Sequence, residues 1–260
     1  MIKINFLGTC SGTEPMPDMK HCCIVFEIGG QYYWFDAGEG CSHTACAMGI
    51  NVKRIRSVFI SHMHIDHIGG LANLIHAINK ITAKHKISHI NNNSYDVFIP
   101  HMPSFESIKE IAVGCKFKPA SDYPVKLVEH EVSDGVIFDD GIAKVTALHN
   151  THLREDGSCG WHSYSYLIEA EGKRIVFSGD VGAPSELDGL IKDGCDLLIM
   201  ETGHHKVSDV LDYAESRNIK RLRFNHHGRE IIGDRAAAQK LLDERDIDAI
   251  ICHDGMTETI

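Results

Sequence analysis

The stretch that decides the reading is Ser61-His62-Met63-His64-Ile65-Asp66-His67-Ile68-Gly69-Gly70. It follows Arg56–Ile60, an apolar run that reads as a strand, and precedes Leu71, Leu74, Ile75 and Ile78, a stripe at helical spacing. Four metal-competent side chains, His62, His64, Asp66 and His67, fall within this one turn. If the chain stays extended as far as His64, two-residue alternation aims His62 and His64 the same way. The turn into the helix then swings Asp66 and His67 to a neighbouring point. Two imidazoles on one side and a carboxylate–imidazole pair on the other are the start of two adjacent metal sites. Gly69 and Gly70 permit close backbone approach.

More ligands are needed, and strand ends offer them. Asp180 follows Ile175-Val176-Phe177-Ser178-Gly179, and its two oxygens could bridge a pair of ions. Leu148-His149-Asn150-Thr151-His152 closes another run, with His149 and His152 as competing donors. Leu222-Arg223-Phe224-Asn225-His226-His227 closes a third, with His226 and His227 in competition. Together these complete a nitrogen/oxygen set suited to Zn²⁺, Mn²⁺ or Fe²⁺. Asp36 and Glu201 also end strands, where each could orient a ligand imidazole or simply cap a turn.

Composition supports this direction. The chain has 260 residues, 43 % apolar and 24 % charged, which excludes disorder and collagen-like structure. No apolar run approaches a membrane span, and the start of the chain lacks a signal-peptide core, so a cytoplasmic protein is expected. A formal charge of −10 disfavours a nucleic-acid partner. Nine scattered Cys suit reduced thiols. Eighteen His are the anomaly, and imidazole is the commonest metal ligand.

Further along the chain, Lys3–Leu7, Ile24–Ile28 and Tyr32–Phe35 read as strands, with Gly29-Gly30 as a hairpin turn. Lys126–Val128, Lys144–Leu148, Tyr164–Glu169, Arg174–Phe177, Leu197–Met200, Arg221–Phe224 and Ala249–Cys252 read likewise. Helices are expected over Ser185–Lys192, over the stripe Val207, Val210, Leu211, Ala214, and over Asp234–Glu244. Residues 80–126, with seven Lys and four acidic groups, read as a partly exposed insert. This order predicts an α/β fold, two sheets with outer helices in a four-layer αββα sandwich, forming one domain over residues 1–260.

The string H-x-H-x-D-H at 62–67, a later His, an S-G-D ending at Asp180 and a final His resemble the metallo-β-lactamase superfamily. Leu7-Gly8-Thr9-Cys10-Ser11-Gly12-Thr13-Glu14-Pro15 and Phe35-Asp36-Ala37-Gly38-Glu39-Gly40 resemble its ribonuclease Z and small-molecule phosphodiesterase branch. The resemblance implies the αββα fold and a binuclear centre. His62, His64 and His152 would hold one ion, Asp66, His67 and His226 the other, with Asp180 bridging. It favours His152 over His149 and His226 over His227. It also gives Asp66 a catalytic place, makes His204 or His205 a candidate acid for the leaving group, and makes Arg229 a candidate phosphate clamp. His21 and His253 lie in or beside the family's loops at the metal edge.

Two ions sharing one water would lower its pKa and generate a hydroxide nucleophile, which suits phosphodiester cleavage. The expected function is therefore a binuclear metal-dependent hydrolase, a phosphodiesterase acting on a small molecule. His64 stands where flavodiiron enzymes of this fold carry Glu, and His67 where class B β-lactamases lack an imidazole. The alternatives are a tRNA 3′-processing endonuclease, a thioester or lactone hydrolase, and a metal-binding scaffold without catalysis. Residues 80–126 have one Gly, four Pro and a net charge of +3, unlike the Gly/Pro-rich basic arm of ribonuclease Z. Asp36-Ala37-Gly38-Glu39-Gly40-Cys41-Ser42 also departs from that enzyme's D-C-G-E-G-T-Q. A homo-oligomer is compatible with the sequence. The pocket walls are expected from loops such as Ser158–Tyr166 and from the 80–126 stretch.

Overall fold

A computed structural model describes residues 1–85, 90–113, 124–153, 161–192 and 194–260. It divides into two compact units. The first comprises Met1–Gly8, Lys20–Val132 and Gly255–Ile260, and the second Thr9–Met19 and Ser133–Asp254.

The first unit is built on a mixed sheet of seven strands: β1 (Lys3–Gly8), β2 (Cys23–Ile28), β3 (Gln31–Phe35), β4 (Ile55–Phe59), β5 (Ser94–Ile99), β6 (Lys126–Glu131) and, closing one edge beside β1, β14 (Thr257–Thr259). The strands β14, β1, β2 and β3 are antiparallel neighbours, and β3 to β6 run parallel. Gly29 and Gly30, at φ 56° and 78°, make the β2–β3 turn in a conformation that suits glycine. Leu71, Leu74, Ile75 and Ile78 of helix Leu71–His85 are buried against Trp34, Val58, Tyr95 and Val97. The helical stripe read from sequence is thus the face that covers this sheet.

The described part of residues 80–126, expected as a partly exposed insert, also contributes to the core of the first unit. Their described part contains β5, with Tyr95, Val97 and Ile99 buried, and helix Met102–Ala112, which buries Phe105 and Ala112 in the same core. The apolar alternation of Tyr95, Val97 and Ile99 is real, but flanking Asn, Lys and Pro hide it at the composition level.

The second unit repeats the plan with β7 (Gly135–Asp139), β8 (Ala143–His149), β9 (Tyr164–Ala170), β10 (Lys173–Phe177), β11 (Leu197–Thr202), β12 (Arg221–His227) and β13 (Asp248–Ile251). From β7 to β10 the sheet is an antiparallel meander, and from β10 to β13 it is parallel. Parallel neighbours need crossovers, and helices Val207–Ser216 and Arg235–Asp243 supply two of them. Val207, Val210, Leu211 and Ala214 are fully buried against Leu198, Met200, Leu222 and Phe224. Each unit is therefore a mixed sheet with its helices, as the α/β expectation requires. Among the described residues, no helix is long and apolar enough to cross a membrane.

Candidate metal centre

In the first unit β4 delivers the histidine string. Ile60 N–H still bonds Phe98 C=O, so the chain remains extended past the strand. His64 keeps extended backbone, φ −66° and ψ 149°, as the residue that opens the short helix Ile65–Ile68. The His62 and His64 rings lie 4.6 Å apart, consistent with the alternation, and the His62 and His67 rings 4.0 Å apart. His67 Nε2 is 3.3 Å from Asp66 Oδ2.

Asp36 organises this group. Its Oδ1 accepts from Ser61 N–H at 2.7 Å and its Oδ2 from Ser61 O–H at 2.8 Å. His67 Nδ1 lies 2.7 Å from the same Oδ2, an arrangement in which Nδ1–H donates and Nε2 keeps the lone pair that a metal needs. Ser61 Oγ, having donated to Asp36, can accept from His62 Nδ1–H at 3.1 Å, with the same effect on that ring. Asp36 has φ 56°, a left-handed conformation that is uncommon for a non-glycine residue and is frequent at functional sites. Ala37 N–H donates to His67 C=O at 2.7 Å, and Gly70 N–H to Ala37 C=O at 2.8 Å. A Cβ on Gly38 would lie 2.4 Å from Asp66 O, so the two loops can pack this closely only with glycine there. Asp36 thus fixes the orientation of the His67 ring.

The second unit supplies a separate cluster. Asp180 leaves β10 after Gly179, whose φ of 55° makes the turn. His152 Nε2 lies 3.7 Å from Asp180 Oδ2, and His226 Nε2 lies 3.4 Å from the same oxygen. His226 sits in a β-bulge: Asn225 pairs with Glu201 and His227 with Thr202, so His226 is the extra residue of the bulge. Its φ is 49°. A Cβ on Gly203 would fall 2.6 Å from His226 Nδ1, so glycine leaves room for the ring.

The members of each competing pair have different surroundings. His149 Nδ1 binds Asp134 Oδ2 at 2.7 Å and its ring stacks on Trp161 at 4.1 Å, whereas His152 faces Asp180. His227 is fully buried, with Nε2–H donating to Cys252 C=O at 2.9 Å; burial lowers its pKa to about 4, so it is neutral.

Glu201 is buried beneath this cluster. His204 N–H donates to Oε2 at 2.9 Å, and His204 Nδ1 lies 3.1 Å from Oε1. Burial opposes ionisation of Glu201, but hydrogen bonds from His204 and His226 outweigh it and hold the carboxyl well below the usual carboxylate range. The same hydrogen bond raises the pKa of His204, against the opposing effect of its partial burial. His204 also lies 3.7 Å from Asp180 Oδ2, and its ring is half-exposed. His205 is more enclosed, and its Nε2–H donates to Val181 C=O at 3.0 Å. Arg229 is exposed and pairs with Glu14. Its guanidinium makes a two-point pair with Glu14, Nη1 to Oε1 at 2.9 Å and Nη2 to Oε2. His21 lies 3.9 Å from Glu39, and His253 Nδ1–H donates to the neighbouring Asp254 C=O at 3.0 Å.

The donor chemistry fits a divalent ion. One donor atom from each of Asp180, Glu201, His204 and His226 lies within 4.8 Å of the others. In the first unit Cys22, Asp36 and His67 make a similar group. Ser61, Cys22 and Glu186 escape sequence reading, because their partners are distant in the chain. Of the loop expected to line the pocket, 158–160 lie outside the described residues.

Residues 2–212 match the family model described as Anti-Pycsar protein Apyc1. The chain belongs to that family. It is 26 % identical over 229 residues to a ribonuclease Z of Pyrococcus furiosus, covering 84 % of this Apyc1-family chain and 73 % of the relative. Among solved structures it aligns with the metallo-β-lactamase fold protein YhfI of Bacillus subtilis, with a TM-score of 0.75, 15 % identity and complete coverage of both chains. It also aligns with a diphosphatase from the PhnP family, with a TM-score of 0.69 and 16 % identity, covering 100 % of this chain and 98 % of that one. The Apyc1-family chain thus has the metallo-β-lactamase fold.

Proposed function

We propose that this chain is a binuclear phosphodiesterase acting on a small phosphodiester. His62, His64 and His152 would hold one divalent ion, Asp66, His67 and His226 a second, and Asp180 would bridge them, Zn²⁺ being the first candidate. The observation that carries this reading is Asp180 flanked by His152 and His226 at 3.7 and 3.4 Å. In the first unit, Asp36 and Ser61 hold the rings of His67 and His62 through Nδ1, which leaves each Nε2 available to an ion. Two such ions supply an activated water and Lewis-acid polarisation of a phosphoryl oxygen.

The chain's own residues do the rest. Asp36 and Ser61 hold the tautomers of His67 and His62. Glu201 anchors His204 through Nδ1, so that a proton on Nε2 can pass to the leaving oxygen, and the same hydrogen bond favours the protonated ring. His205, tied to a backbone carbonyl, positions the loop, and Arg229, paired with Glu14, is given no part.

A small substrate is favoured over tRNA because the described part of 80–126 is occupied in the core of the first unit, and the formal charge is −10. The family description names an anti-Pycsar protein rather than a nuclease. The Pyrococcus relative, named a ribonuclease Z, keeps tRNA 3′-end cleavage as the second reading. Metal-replete protein should be assayed on 3′,5′-cyclic mononucleotides, aryl phosphodiesters, a precursor tRNA, a lactone and a thioester. Turnover of the small diesters with at least a hundred-fold preference over the others is expected. Preferential cleavage of the tRNA would replace the first reading by the second, and no hydrolysis of any substrate would overturn both.

A further inference from the structure

We propose that Glu186 is a positioning residue that sets the spacing of two ligand-bearing loops. This rests on the metal-centre reading, because the loops carry His152 and Asp180. Glu186 lies in the short 3₁₀ turn Pro184–Leu187, and its neighbour Leu187 is fully buried, which fixes the turn to the core of the second unit. The carboxylate reaches both loops. Oε2 accepts from Thr151 N–H at 3.2 Å and from Gly182 N–H at 3.0 Å, while Oε1 accepts from the Thr151 hydroxyl. Thr151 is the residue before His152, and Gly182 is two residues after Asp180.

The close approach is built into the residue types. A Cβ on Gly182 would lie 2.2 Å from Thr151 Oγ1 and 3.1 Å from Glu186 Oε1, so a side chain there would displace the Thr151 hydroxyl from its place beside the carboxylate. On the far side of Thr151, Asn150 Oδ1 accepts from His152 N–H at 3.1 Å, and Asn150 Nδ2 donates to Ser165 Oγ at 3.1 Å. The backbone on both sides of Thr151 is therefore held, and Glu186 is the group that links it to the Asp180 loop. A carboxylate accepting from backbone N–H groups of two segments fixes their separation more firmly than a neutral acceptor would. His152 and Asp180 must arrive at one ion within a few tenths of an ångström, which makes this spacing a condition of tight binding. Groups that act on a metal only through its ligands typically change affinity by about 10- to 100-fold when removed.

The test is Zn²⁺ affinity by chelator competition on wild type, Glu186→Gln and Thr151→Val, with melting temperatures measured in Zn²⁺ and in EDTA. Glu186→Gln keeps the volume and loses the carboxylate. It is expected to weaken the Zn²⁺ that His152 and Asp180 hold by about 10- to 100-fold. It should also shrink the Zn²⁺-dependent rise in melting temperature while changing the EDTA value much less. Adding Thr151→Val to it should weaken binding less than the product of the single effects. Wild-type Zn²⁺ affinity in Glu186→Gln would overturn the proposal, as would equal melting losses with and without Zn²⁺. Wild-type protein that binds no metal would bring down the metal-centre reading and this one together. Tight wild-type binding with an unaffected variant would bring down this one alone.

Discussion

Asp36 places its charge against His67 Nδ1 and spends its remaining lone pairs on Ser61, so its value lies in the ring it orients. Asp36→Asn should therefore lower Zn²⁺ affinity by about 10- to 100-fold, measured by chelator competition, while leaving the fold by circular dichroism unchanged. His204 gives a different signature. A histidine whose pKa is raised stays protonated to higher pH, so turnover of a diester with an alkoxide leaving group should fall as pH rises through that raised value. His204→Ala should remove this limb and cost about 10²- to 10⁴-fold with the alkyl leaving group, but far less with a nitrophenolate. At this scale the sequence was informative where ligands cluster locally. The His62–His67 string identifies itself because four donors share one turn. Spacing could not separate His149 from His152, because the surroundings that distinguish them, Asp134 and Trp161 around His149, are not adjacent in sequence.

Strand β12 and helix Val207–Ser216 show how the elements serve the site. Burial of Leu211 in the helix face predicts that Leu211→Ala costs about 2–5 kcal/mol, read from chemical denaturation. His227, next to the bulge in β12, has its pKa lowered by burial to about 4 from 6.5. Its folded pKa lies below its unfolded one, so the unfolded chain binds the extra proton between those values. Stability is complete above about pH 6.5 and is lost as pH falls towards 4, by up to about 3 kcal/mol. Melting of EDTA-treated protein at several pH values should show this loss, and His227→Gln should remove that part of the slope. The buried strands were legible because their apolar runs are dense. Strands β7 and β14 were not, because most of their residues face solvent and carry no burial pattern. Helix Met102–Ala112 was hidden by Pro103 and its charged neighbours, although His101 caps it through a bond from Ser104 N–H.

Across the whole molecule, a formal charge of −10 opposes long-range attraction of a polyanion such as tRNA. Precursor tRNA should accordingly show no retention at about 150 mM salt in filter binding, the ionic strength at which the Debye length is about 8 Å. The α/β class and both sheets could be read from one sequence because each rests on local pattern. Sharing of ions between ligands drawn from opposite halves of the chain rests on the family likeness and is the claim on which the function turns. Electron paramagnetic resonance of Mn²⁺-loaded protein tests it most directly. A spin-coupled pair at two ions per chain is expected, abolished by Asp180→Asn. A spectrum of isolated Mn²⁺ ions, or saturation at one ion per chain, would contradict it.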